Sequence, residues 1–99
     1  MSTRYQVSWS MVTSWISERY SELYEVDDEA VTEFKNEMMA IQDQLSAHPF
    51  EFGEPIDDLL KLDMTRCVGF TRRLIVNYGV NPASRFVIVT KLRWRKRSL

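Results

Sequence analysis

Along this 99-residue chain the spacing of apolar residues changes twice, and that narrows the folds open to it. Tyr5, Val7 and Trp9 alternate with Gln6, Ser8 and Ser10, a period of two that predicts a short, half-buried strand. From Val12 the spacing becomes three or four, through Trp15, Ile16, Tyr20 and Leu23. This predicts an amphipathic helix with Ser10 as its N-terminal cap. Val26-Asp27-Asp28-Glu29 then offers a new cap and three carboxylates where a helix dipole favours negative charge. A second helix follows, with Val31, Phe34, Met38, Ile41 and Leu45 on one face, and stops ahead of His48-Pro49 because proline restricts the residue before it. Two heptads are too few for an independent coiled coil, so the expected unit is a helical hairpin packed on a sheet.

Beyond the hairpin, residues 48–63 hold two of the three prolines and one glycine. They read as a connecting loop with one helical turn at 57–62. Met64 to Phe70, Leu74 to Val80 and Phe86 to Trp94 are rich in β-branched and aromatic residues, and Asn81-Pro82-Ala83-Ser84 is strong turn chemistry. Three consecutive antiparallel strands are expected. The order β-α-α-β-β-β with a basic tail makes an α+β chain, and its length suits one domain spanning 1–99.

Composition narrows the function classes. With 44% hydrophobic and 27% charged residues, the chain is neither disordered nor a membrane protein in character. No apolar run has the length of a signal peptide core or a membrane span, and a single cysteine, Cys67, suits a reducing cytosol. A cytoplasmic protein without membrane contact, metal or cofactor is expected. His48 has no second imidazole to share a metal and reads as a surface loop residue. Cys67 reads as a small buried hydrophobe. The pairs Asp27/Asp28 and Asp57/Asp58 read as capping and solubility, since neighbouring residues at a helix start point apart. Phosphate-loop, dinucleotide, zinc-protease and hydrolase motifs are absent.

Charge is strongly partitioned. Residues 18–63 carry all 14 acids against Arg19, Lys35 and Lys61, whereas residues 64–99 carry nine bases and no acid. Either the basic part faces a polyanion or it neutralises the acidic helices from within. The bases are Arg66, Arg72, Arg73, Arg85, Lys91, Arg93, Arg95, Lys96 and Arg97. On an extended strand, Lys91, Arg93, Arg95 and Arg97 share one face while Leu92 and Trp94 take the other. Trp94 either stacks on a splayed base between its flanking arginines or closes one end of the sheet. The remaining aromatics, Trp9, Trp15 and Phe34 among them, read as core. An arginine cluster without histidine can bind RNA, or assist its cleavage by charge stabilisation. Arg66, Arg73, Arg93 and Arg95 are expected together on the most positive sheet face.

The chain resembles the RelE/ParE superfamily of bacterial type II toxins. The resemblance is carried by element order and by Pro49, Gly53-Glu54-Pro55, Asp58-Leu59-Leu60, Arg66, Arg73-Leu74-Ile75-Val76, and Phe86-Val87-Ile88-Val89 running into Arg95. It implies a ribosome-dependent messenger RNA endonuclease with Arg66, Arg73 and Arg95 as catalytic residues, and with Arg72, Lys91, Arg93, Trp94, Lys96 and Arg97 binding nucleic acid. The C-terminal tyrosine of RelE-like members falls beyond Arg97, where this chain has Ser98 and Leu99. The ParE-like alternative is a non-catalytic inhibitor of DNA gyrase, and a third is a non-toxic relative that only binds a partner. All three imply an antitoxin-like partner, with a heterotetramer as one form of the complex. The toxic readings add the ribosome and messenger RNA, or DNA gyrase.

Overall fold

The structure is a computed structural model that describes residues 4–59 and 63–95. It is an α+β fold in which a helical hairpin covers one face of a five-stranded, mostly antiparallel sheet. Strand β1 (Gln6–Ser8) leads through a single 3-10 turn, Ser10–Val12, into α1 (Thr13–Val26) and α2 (Asp28–Ala47). A short helix α3 (Pro49–Phe52) precedes β2 (Gly53–Leu59), β3 (Met64–Phe70), β4 (Leu74–Asn81) and β5 (Phe86–Trp94). The sheet order is β1-β5-β4-β3-β2, with β1 parallel to β5 and every other pair antiparallel.

The helix starts follow different rules. Asp27 caps α2 as its position suggests, its carboxylate accepting from the Glu29 amide at 3.0 Å. Ser10 does not cap α1. Its hydroxyl meets that of Ser8 at 3.1 Å, and the chain first makes the 3-10 turn, so α1 begins at Thr13 without a side-chain cap. That turn carries Val12 into the core and leaves Met11 exposed on the other side of the sheet.

Residues 48–63 are not the predicted loop. The helical turn falls at Pro49–Phe52, with proline in its first turn, and the following residues form β2 rather than a turn at 57–62. Residues 60–62 lie outside the described residues. Pro55 and three acids gave this segment the composition of a loop, but they suit an edge strand, where a missing amide and exposed charge discourage further pairing. Four antiparallel strands therefore follow the hairpin, not three.

Alternation along the strands divides the sheet into two unlike faces. Leu74, Val76, Tyr78 and Val80 of β4, with Val87, Val89 and Leu92 of β5, point to the helices and are buried. Phe34, Ile41 and Leu45 of α2 meet them, and Trp15 and Tyr20 of α1 pack on Phe34. Cys67 is buried on the same face, where burial raises its thiol above the usual range. The Tyr78 hydroxyl, also buried, donates to the Pro49 carbonyl and so ties α3 to the sheet. Gly69 has no room for a side chain because the Phe52 ring lies against it.

Candidate nucleic-acid interface

No element among the described residues covers the other face of the sheet, and it carries four of the basic residues singled out by sequence, Arg66, Lys91, Arg93 and Arg95. Alternation sends Met64, Arg66, Val68 and Phe70 of β3 outward, with Ile75, Asn77 and Gly79 of β4 and Ile88, Lys91 and Arg93 of β5. β5 keeps this phase only through a bulge. Tyr78 pairs with Val89 and Asn77 with Lys91, so Thr90 is an extra residue and the two halves of β5 both keep their apolar side chains inward.

The expected set of four arginines is divided by the fold. Arg93 stands exposed on the open face opposite Ile75, and Ile75 in turn pairs with Phe70. Arg95, just past β5, donates its amide to the Arg73 carbonyl at 2.7 Å and a guanidinium N–H to the Thr71 carbonyl at 2.9 Å. Its guanidinium carbon lies 5.5 Å from the centre of the Phe70 ring. Arg66 is on the same face but two strands away from Arg93 and four residues along, about 10 Å across and about 13 Å along by strand geometry. Arg73 is not on this face. Its guanidinium meets Glu37 at 3.1 Å and Glu33 at 3.6 Å on α2.

Glu37 explains why Arg73 turns away. Its carboxylate, on a side chain only 12% exposed, accepts from the Thr71 hydroxyl and from both the amide and Nε of Arg73. Thr71 in turn receives the Leu74 amide at 3.0 Å. The β3–β4 connection is thus fastened to the middle of α2, and Arg73 belongs to that fastening. Part of the charge partition is therefore internal neutralisation, one of the two readings the sequence left open.

Trp94 also leaves the expected set. Its ring centre lies 5.6 Å from that of Trp15 and 5.8 Å from that of Phe34, closing the end of the sheet on the helix side. The aromatic beside Arg95 on the arginine face is Phe70, 55% exposed, which sequence reading passed over. The signal was present: Phe70 is two residues from Val68 and four from Arg66, so a strand that exposes Arg66 exposes Phe70 as well. Arg72 is exposed in the β3–β4 connection, between Thr71 and Arg73. Lys96 and Arg97 lie outside the described residues.

What remains is a row of cations, Lys91, Arg93 and Arg95, recurring about 7 Å apart along one strand, with Phe70 beside its far end. Among the described residues, Lys91 and Arg93 have no ion pair. Arg66 does, and its partner Asp57 is on β2, so the pair read as capping residues at 57 and 58 is instead a strand segment facing β3. Asp58 accepts from the Thr65 hydroxyl at 2.8 Å. Free cations beside an exposed ring can track a phosphate chain and stack a base. The same arrangement does not converge three arginines on one phosphate. No group of three or more histidine, cysteine or acidic residues fit to hold a metal occurs among the described residues, and no helix among them is long and apolar enough to cross a membrane. Comparison with family models, with characterised proteins and with solved structures returned no match for this chain.

Proposed function

We propose that this chain is a toxin of the RelE-like kind, acting on messenger RNA at the ribosome through the open face of its sheet. The observation that carries this reading is the row Lys91, Arg93 and Arg95 beside the exposed Phe70. Cations at regular spacing hold successive phosphates and the ring takes a base, the combination that single-stranded RNA requires. Arg95 remains as the charge-stabilising residue for cleavage, while Arg66 lies farther along the face with Asp57 and Arg73 supports the β3–β4 connection. A cytoplasmic site of action and an antitoxin partner that restrains the toxin belong to the same reading.

A second reading has its own support. Two of the three arginines implied as catalytic are already held by carboxylates, Arg73 by Glu37 and Glu33, and Arg66 by Asp57. This favours a protein that binds without cutting, as a gyrase inhibitor or a partner-binding relative would.

Primer extension on total RNA after induction in bacterial cells separates these readings. The RNA reading expects new 5′ ends within translated messages, and their loss when Arg93 and Arg95 are both replaced by alanine. Removing a single charge-stabilising donor commonly lowers a rate about a hundred-fold or more. Uncut messages with stalled replication would point to gyrase, and uncut messages with normal growth to the partner-binding relative.

A further inference from the structure

The open face also holds a cleft of about 560 Å3 at some distance from the Phe70 end. Met11, Ile56, Met64 and Ile88 supply apolar walls, and Arg66 and Lys91 stand at it as cations. Met11 and Ile56 are both exposed there, an unusual position for two large apolar side chains on one site. Asn77 lines the cleft too, and its Oδ1 is screened from solvent without a hydrogen-bond donor among the described residues. A turn of the half-buried Asn77 side chain toward the cleft lets this unsatisfied acceptor gain a bond from a donor there.

A second bulge shapes the site. β2 pairs Pro55 with Cys67 and then Asp57, not Ile56, with Arg66. The extra residue brings a carboxylate opposite the guanidinium and places Ile56 in the cleft wall. Asp57 accepts from Arg66 Nε at 2.7 Å and from Nη2 at 2.6 Å. This fork is the one a phosphate oxygen pair would make on the same arginine. The side chains of Arg66 and Asp57 are 53% and 46% exposed, so a dissolved anion can reach the pair and exchange with it.

We propose that this cleft is a slot for one nucleotide, in which the phosphoryl group takes Arg66 from Asp57. The base lies between the Met11 and Met64 side chains, whose thioethers pack well on aromatic rings. Lys91 is the second cation on the phosphoryl group, and a base amino group supplies the donor that Asn77 lacks. Asp57 is then a resident anion that holds affinity down. The choice of a nucleotide rests on the RNA-facing reading, but the slot binds a mononucleotide whether or not the protein is toxic.

The test is a titration of the full chain, labelled at its methionine methyls, with adenosine monophosphate, uridine monophosphate and inorganic phosphate in turn. Met11 and Met64 report on the cleft, while Met38 and Met39 on α2 serve as internal controls. Adenosine monophosphate should shift the first two methyls and not the second two, with about millimolar affinity. Uridine monophosphate, whose base has no exocyclic amino group, should bind more weakly, and phosphate alone should leave the methionines in place. Asp57→Asn should tighten adenosine monophosphate about two- to fivefold, the range of an exposed ion pair. Shifts shared equally by Met38 and Met39, an unresponsive cleft, equal response to both nucleotides, or an unchanged or weaker affinity in Asp57→Asn would each overturn the proposal. Messages cut in cells by a protein with an unresponsive cleft would remove the slot and leave the RNA reading standing.

Discussion

Arg73 and Arg95 are joined by a backbone hydrogen bond, yet they lie in different halves of the molecule. Arg73 is drawn to the covered side, where Glu37 gathers two of its donors and the Thr71 hydroxyl. Arg95 reaches the uncovered side and lies over Phe70. The same residue type therefore meets two environments at neighbouring strand ends. On the helix side a cation is part of the packing, because a mostly buried carboxylate must be paired. On the open side Lys91 and Arg93 stand exposed, with no ion pair among the described residues. Side chains that face the helices should govern stability, and those on the open face should govern binding.

The largest effect expected from this contrast lies at Phe34, fully buried and touching the rings of Trp15, Tyr20 and Trp94. Phe34→Ala should lower stability by about 3–5 kcal/mol in urea unfolding, the range for a large aromatic removed from a core. A loss under about 1 kcal/mol would mean that the hairpin is not the cover of this sheet. Next is Glu37→Ala, which leaves the Thr71 and Arg73 donors without their acceptor and should cost about 1–3 kcal/mol.

A pH dependence sharpens the comparison further. Burial is the chief cause that pushes the Tyr78 hydroxyl well above the usual tyrosine range. The folded protein therefore keeps a proton that the unfolded chain gives up near pH 10. Its contribution is complete below that pH and is lost above it, as pH rises toward the folded value. The urea midpoint should begin to fall above about pH 8.5, where the thiol of Cys67 ionises in the unfolded chain, and fall more steeply above about pH 10, with the steeper part shallower in Tyr78→Phe. A slope unchanged in Tyr78→Phe would assign the effect to another group. The smallest effect on stability belongs to Arg93→Ala, within about 0.5 kcal/mol. The same variant should weaken single-stranded RNA binding and flatten its salt dependence by about 0.7 in the logarithmic slope, the share of one phosphate contact. A variant that loses stability instead would place Arg93 with Arg73, in the packing.

Much of the fold was legible because it is written locally. The spacing of Val31, Phe34, Met38, Ile41 and Leu45 needs only a helix to make a stripe, and Asp27 needs only the next turn to act as a cap. The alternation of Leu92 and Trp94 against Lys91 and Arg93 likewise needs only an extended chain. β2 was not legible, since Gly53, Pro55 and its acids have no strand character until β3 pairs with them. The candidate site was legible in part. Composition and alternation point to the cations of β5, but nothing near Arg73 in sequence announces Glu37, 36 residues earlier.

The sequence by itself determined the two long helices, four of the five strands and which side chains of each of those strands share a face, because these depend on neighbours within a few residues. The tertiary structure decided the rest: that Phe70 and not Trp94 is the ring beside the arginines of the open face, that Arg73 is drawn to α2, and that Asp57 rather than Ile56 meets Arg66. The physical reason is range. A strand's period can be read from its own residues, but its register, its bulges and the partner of each charge are set by segments far away in the chain, brought close only when the sheet and its cover assemble.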